Sequence, residues 1–152
     1  MNKYVNTDNV ELEKREIPKE KFVPKIKDDF YIVNYNGEIY IDCIVDEETL
    51  KFILKHNLVF KNIEHAEDYK WFLEQLYKYT YDFSKEDWNI DSEIAKYYIY
   101  YNHFAHELRI APEFTLHETI NYFKSRKCVE TFIDIVGEER IKKYILNIWW
   151  ED

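Results

Sequence analysis

Two strand-to-helix junctions in this chain read alike, and they constrain its fold more than any other feature. Phe60-Lys61-Asn62 and Phe123-Lys124-Ser125 each place an aromatic residue, a lysine and a capping side chain in the same order. Asn and Ser at such a point accept hydrogen bonds from the free N–H groups that open a helix. Ala66-Glu67 and Val129-Glu130 follow at equal offset, and Tyr69 and Phe132 match again. Phe30-Tyr31-Ile32 and Tyr97-Tyr98-Ile99 supply corresponding first strands. Concordant order, caps and core positions predict an α+β fold made by tandem duplication of a β-β-β-α unit. Its sheets are expected to be antiparallel, with the helices packed on one face.

The rest of the chain is divided around that repeat. Residues 1–21 carry alternating charge and few apolar groups, which predicts a mobile N-terminal arm. The first repeat covers 22–80. Phe30 to Tyr35 and Glu38 to Ile44 flank Asn36-Gly37, the pair favoured in type I′ hairpin turns. Asp46-Glu47-Glu48-Thr49 opens a short helical stretch with Leu50, Ile53 and Leu54 on one face. Leu58 to Lys61 reads as the third strand, Asn62 as an N-cap, and Ala66, Tyr69, Leu73 and Leu76 as an apolar stripe. Residues 81–95 turn acidic around Trp88 and are expected to connect the halves. The second repeat covers 96–152: strand Tyr97 to Tyr101, turn Asn102 to His106, strand Glu107 to Ile110, third strand Ile120 to Lys124, and a helix from Ser125. Gly137 stops that helix, and Glu138 to Leu146 forms a C-terminal one.

Composition removes several classes of function. With two Gly and three Pro in 152 residues, the chain has little room for a glycine-rich phosphate loop. Hydrophobic residues at 46% suffice for a core without staples. Cys43 and Cys128 therefore read as reduced, buried thiols, not a disulfide framework. No run approaches the roughly 18 apolar residues of a membrane span, and Met1 to Glu20 lacks the apolar core of a secretion signal. A cytoplasmic protein with no membrane partner is expected. The net charge of −9, from 21 Lys and Arg against 30 Asp and Glu, argues against direct nucleic-acid binding. It favours steering toward basic partners.

Candidate chemistry is sparse. His103, His106 and Glu107, with His117-Glu118 downstream, form the one ligand-rich cluster, but the spacing places them at a hairpin tip without the His-Glu-x-x-His order of a zinc helix. No metal or other cofactor is expected, and Cys43 and Cys128 each fall in an apolar-periodic element, where a buried inert thiol is far more common than a His-paired nucleophile. Paired acids at Asp46-Glu47-Glu48, Asp82 to Asp91 and Glu138-Glu139 read as solvated faces, because acid–base work needs carboxylates in a cleft with separated pKa values. The chain is therefore expected not to be an enzyme. Candidate binding residues are Asp82, Glu86, Asp87, Trp88 and Asp91, an acidic run able to imitate nucleic acid. Trp149 and Trp150 at the C-terminus are added because indoles anchor interfaces. Lys142-Lys143 beside Arg140 complement the last helix's C-terminal carbonyls.

Several stretches resemble a widespread group of small uncharacterised proteins from phages and prophages of low-GC Gram-positive bacteria. The resemblance rests on Pro24 to Ile32, Phe60-Lys61-Asn62, Asp87-Trp88-Asn89 before Lys96 to Tyr101, and Val136 to Tyr144. Lys27 stands where that group usually has glycine, and Ile44 to Leu58 is longer here. The resemblance implies an accessory gene of a mobile element, many of which encode inhibitors of host defence. The expectation is a phage-type inhibitor, an anti-CRISPR that binds a host nuclease effector in the host cytoplasm. The alternatives are an acidic immunity or antitoxin-like binder and a metal-dependent enzyme built on His103 and His106. The sequence leaves homodimer formation open.

Overall fold

Phe30-Tyr31-Ile32-Val33 and Ile39-Tyr40-Ile41 are β-branched or aromatic throughout, residues that suit a pleated, half-buried surface. In the computed structural model, which describes residues 3–6, 16–84, 86–88, 94–114 and 121–151, they form strands β2 (Asp29–Val33) and β3 (Ile39–Cys43). The two pair antiparallel from Asp29↔Cys43 to Val33↔Ile39. Strand β4 (Val59–Phe60) pairs with the other edge of β2, and β1 (Lys3–Val5) pairs with β3. The result is a four-stranded antiparallel sheet of order β1-β3-β2-β4. Part of the stretch expected to be a mobile arm is thus an edge strand, with Tyr4 edge-on to Tyr40 at 5.9 Å.

The connections correct the expected turn. Asn34 N–H donates to Glu38 O at 2.9 Å and Gly37 N–H to Asn34 O at 3.0 Å. Only Gly37 in this loop has positive φ, +80°. That is a type I turn followed by a left-handed glycine, not the type I′ pair, which needs two positive φ values. Asn34 Oδ1 accepts from Asn36 N–H and Glu38 N–H and locks the loop.

Both faces of this sheet are covered, so the helices are not confined to one face as expected. The reason lies in β4, where both residues are apolar and point to opposite sides. Val59 joins Phe30 and Leu50 in one buried cluster, with Ile53 and Leu54 of α1 (Glu47–His56) packed on it. Phe60 turns the other way and meets Tyr69 of α2 (Ile63–Tyr79) at 5.3 Å. Asp46 caps α1 by accepting from Glu48 and Thr49 N–H. Asn62 caps α2 by accepting from His65 N–H at 3.1 Å.

Contacts divide the chain into two units, Met1–Glu74 and Gln75–Asp152. The division falls inside α2 and not in the acidic stretch 81–95. Physically, the last turn of α2 is committed to the second unit: Tyr79 lies 6.3 Å from Phe132 and Thr80 bridges Phe123. The second unit is built on a hairpin of β5 (Lys96–Asn102) and β6 (Glu107–Glu113), which pair over their whole length. Phe123 is set beside β5, with N–H···O bonds of 3.0 and 2.8 Å exchanged with Tyr97. Helix α3 (Arg126–Val136), capped by Ser125 on Cys128 N–H at 3.2 Å, buries Val129, Phe132 and Val136.

No duplication is evident in the fold. Among the described residues, the first unit has four strands with α1 between β3 and β4, whereas the second has a two-stranded sheet. The third strand expected at Ile120 to Lys124 is a single bridging residue, Phe123; Ile120 lies outside the described residues. What recurs is local. In each unit the segment before a capped helix lies antiparallel to the first hairpin strand, Phe60 opposite Tyr31 and Phe123 opposite Tyr97. A buried aromatic directly before a cap yields the same triplet whether or not the surrounding units are copies.

The C-terminal helix departs from its expected form. One α-turn, α4 (Glu138–Arg140), widens into a π-helical turn, Ile141–Ile145. Leu146 N–H reaches Ile141 O at 3.2 Å and Ile148 N–H reaches Lys142 O at 2.8 Å, with Asn147 left-handed at φ +55°. The neighbouring cations make the following contacts. Arg140 donates to Val136 O, the end of α3, Lys143 pairs with Glu139 at 2.8 Å, and Lys142 lies over the Tyr101 ring. Cys43 and Cys128 are free and half-buried. Among the described residues no helix is long and apolar enough to cross a membrane.

Candidate functional site

The acidic segment after α2 is organised by one lysine. Lys96, at the start of β5, is 1% exposed. Its ammonium donates to the carbonyl oxygens of Asp87 and Ile94 and lies 4.7 Å from the Trp88 ring centroid and 5.6 Å from that of Phe83. Burying a cation is costly unless its donors are satisfied. Here two carbonyls take donors and two aromatic faces cover the remainder, an arrangement that strengthens as water is excluded.

The rings continue outward from that point. Trp88 meets Tyr122 edge-on at 4.8 Å, Phe83 meets Trp88 at 5.9 Å, and Tyr81 meets Phe83 at 4.8 Å. Lys124 lies over Tyr81 at 5.2 Å. Asp87 turns back on its own segment, accepting from Ser84 N–H at 2.8 Å and Ser84 Oγ at 2.9 Å. Those hydrogen bonds, chiefly the one from the Ser84 backbone, hold the Asp87 carboxyl below its ordinary range, with Lys96 and Lys124 adding to the effect.

These contacts sort the sequence-derived residues. Asp82 and Glu86 are exposed, with their carboxylates available to solvent. Asp87 and Trp88 are half-buried and engaged internally, so Trp88 is a support for Lys96 and not a free anchor. Asp91 lies outside the described residues. The two C-terminal indoles divide their roles. Trp149 packs 6.5 Å from Tyr144, under the Lys143 ammonium, and donates its ring N–H to Asn147 Oδ1 at 3.0 Å. Trp150 is 57% exposed.

The histidine cluster is dispersed over a turn. His103 stacks edge-on against Tyr101 at 5.0 Å, His106 is left-handed at φ +54°, and Glu107 pairs with Arg109 at 2.7 Å. His117 and Glu118 lie outside the described residues. Among the described residues no group of three or more His, Cys, Asp or Glu side chains gathers to hold a metal ion.

Sequence reasoning missed Lys96 as the organising residue. Its even position on β5, in step with Tyr98 and Tyr100, suggests a solvent-facing lysine. The Trp88 and Phe83 rings of the folded-back segment cover it. Set beside protein-family models, curated proteins and solved structures, the chain matches none.

Proposed function

We propose that the chain is a phage-type inhibitor that binds a basic surface of a host defence protein, the nucleic-acid groove of a CRISPR nuclease effector, in the host cytoplasm. One observation carries the reading: Asp82 and Glu86 project from a segment whose backbone is fixed by Lys96, Ser84 and the Trp88–Tyr122 contact. Carboxylates on a preorganised segment bind without first ordering it, which lowers the entropic cost of association. The chain's charge of −9 adds attraction at a distance. Phage-protein resemblance supplies the setting, and the absence of a sequence signature for catalysis favours binding over turnover.

Charge-steered association has a distinctive signature. Mutating Asp82→Asn together with Glu86→Gln should slow association with the target roughly two- to tenfold at low salt and flatten its salt dependence. Dissociation should change less. Stopped-flow measurement across a salt series checks this; an unchanged rate and an unchanged salt slope would place the interface elsewhere.

A further inference from the structure

The segment that carries Asp82 and Glu86 is held by a cation, and the placement of that cation is specific. Lys96 is 1% exposed, and its ammonium donates to Asp87 O and, at 2.8 Å, to Ile94 O. Trp88 and Phe83 cover it, with ring centroids at 4.7 and 5.6 Å. Three of these partners bracket the two exposed carboxylates. Phe83 follows Asp82 directly, and Asp87 and Trp88 follow Glu86. Between them Ser84 and Asp87 close a turn on one another, with Ser84 N–H donating to Asp87 Oδ2 at 2.8 Å and Asp87 N–H to Ser84 O at 3.1 Å. The chain on either side of that turn is tied to a single ammonium.

Charge alone gives a lysine no role at such a surface. A cation near Asp82 and Glu86 weakens the field they present to a basic partner, so a site built only for attraction is better without it. Its use lies in the backbone. Each carbonyl it holds is turned inward and needs a donor, and water can replace the ammonium only if the segment lifts away from β5. Methionine in its place fills a similar volume and offers no donor. The strand itself does not depend on the side chain, because pairing from Lys96↔Glu113 to Asn102↔Glu107 is made by the main chain. Removing the ammonium therefore releases the segment and leaves the hairpin beneath it.

We propose that Lys96 is a positioning residue for partner binding, which holds Asp82 and Glu86 in the one arrangement that a basic groove meets. This rests on those two carboxylates being the contact surface. Two effects oppose one another when Lys96 is replaced. Losing one of the 21 Lys and Arg takes the net charge from −9 to −10, which speeds association with a basic partner. Losing the fixed backbone adds the cost of ordering the segment on binding, which weakens the complex. One charge in nine is a small change in the field, whereas ordering several residues is a large entropic one. Positioning therefore predicts weaker binding by a more acidic chain, and attraction alone predicts the reverse.

Hydrogen exchange and binding, both measured on the full chain, test the proposal. In Lys96→Met the Ser84 and Asp87 amides should exchange roughly tenfold faster or more, with the β5–β6 amides and the circular dichroism unchanged. Binding to a purified CRISPR nuclease effector should weaken roughly tenfold, mostly through faster dissociation. Trp88→Leu keeps the charge at −9 and removes one ring from the ammonium. It should move both readouts the same way, and it carries the test if Lys96→Met does not fold. Unchanged exchange at Ser84 and Asp87 would overturn the proposal. So would a Lys96→Met chain that binds as tightly as wild type while the Asp82→Asn, Glu86→Gln variant binds weakly. If that double variant also binds as wild type does, the acidic surface is not the interface and both readings fall, an outcome distinct from failure of the lysine alone.

Discussion

At Lys27 the backbone turns left-handed, φ +71°, directly before β2. Asp28 N–H closes the turn onto Lys25 O at 3.0 Å, with Lys27 third of four residues. This is the type II position that glycine fills by default. A Cβ there costs about 1–2 kcal/mol, while glycine returns about 0.5–1 of that as chain entropy. Lys27→Gly should therefore stabilise the protein by about 0.5–1 kcal/mol, read as a rise in Tm. Asp87 gives a second residue-scale prediction. Its folded pKa lies below the ordinary value because it accepts from Ser84. A depressed carboxyl contributes stability that is present above the unfolded pKa and lost as pH falls through the folded one. Urea unfolding across an acid series should show Asp87→Ala less stable than wild type near neutrality. That gap should close as the pH drops below the usual aspartate range.

Among the elements, what could be read from sequence was what depends on neighbouring residues. Asn62 and Ser125 were legible as caps because a cap is set by side chain and position alone, and both accept the expected N–H groups. The β2–β3 hairpin was legible from its alternation, although its turn type was not. Asn34, one residue outside the assumed turn, locks the loop through its side chain. Duplication was over-read from the same local chemistry, because two junctions that both bury an aromatic before a cap converge on one triplet. The π-turn at Ile141–Ile145 has no sequence signature; Ile141 and Tyr144 within it, and Ile148 just beyond, are buried. In the candidate site the exposed acids were legible and Lys96 was not, because its burial depends on a segment that folds back over it. Ser125→Ala tests the cap argument: it should cost about 1 kcal/mol. Thermal unfolding should show the loss, and Ser125→Asp should recover most of it.

At the scale of the whole molecule, the exposed acids and the exposed hairpin-tip rings stand on separately held segments. Asp82 and Glu86 stand on the segment fixed by Lys96, whereas Phe104 and Tyr35 stand on hairpin turns locked by Asn102 and Asn34. The measurement that bears most directly on the central reading is capture followed by cleavage. The chain would be immobilised and exposed to extract of a Gram-positive host with an active nuclease defence, and the recovered complex assayed on target DNA. Inhibitor binding predicts a nuclease whose cleavage falls as the chain is added, with weaker inhibition by the Asp82→Asn, Glu86→Gln variant. A chain that recovers no nuclease and instead turns over a small molecule contradicts it.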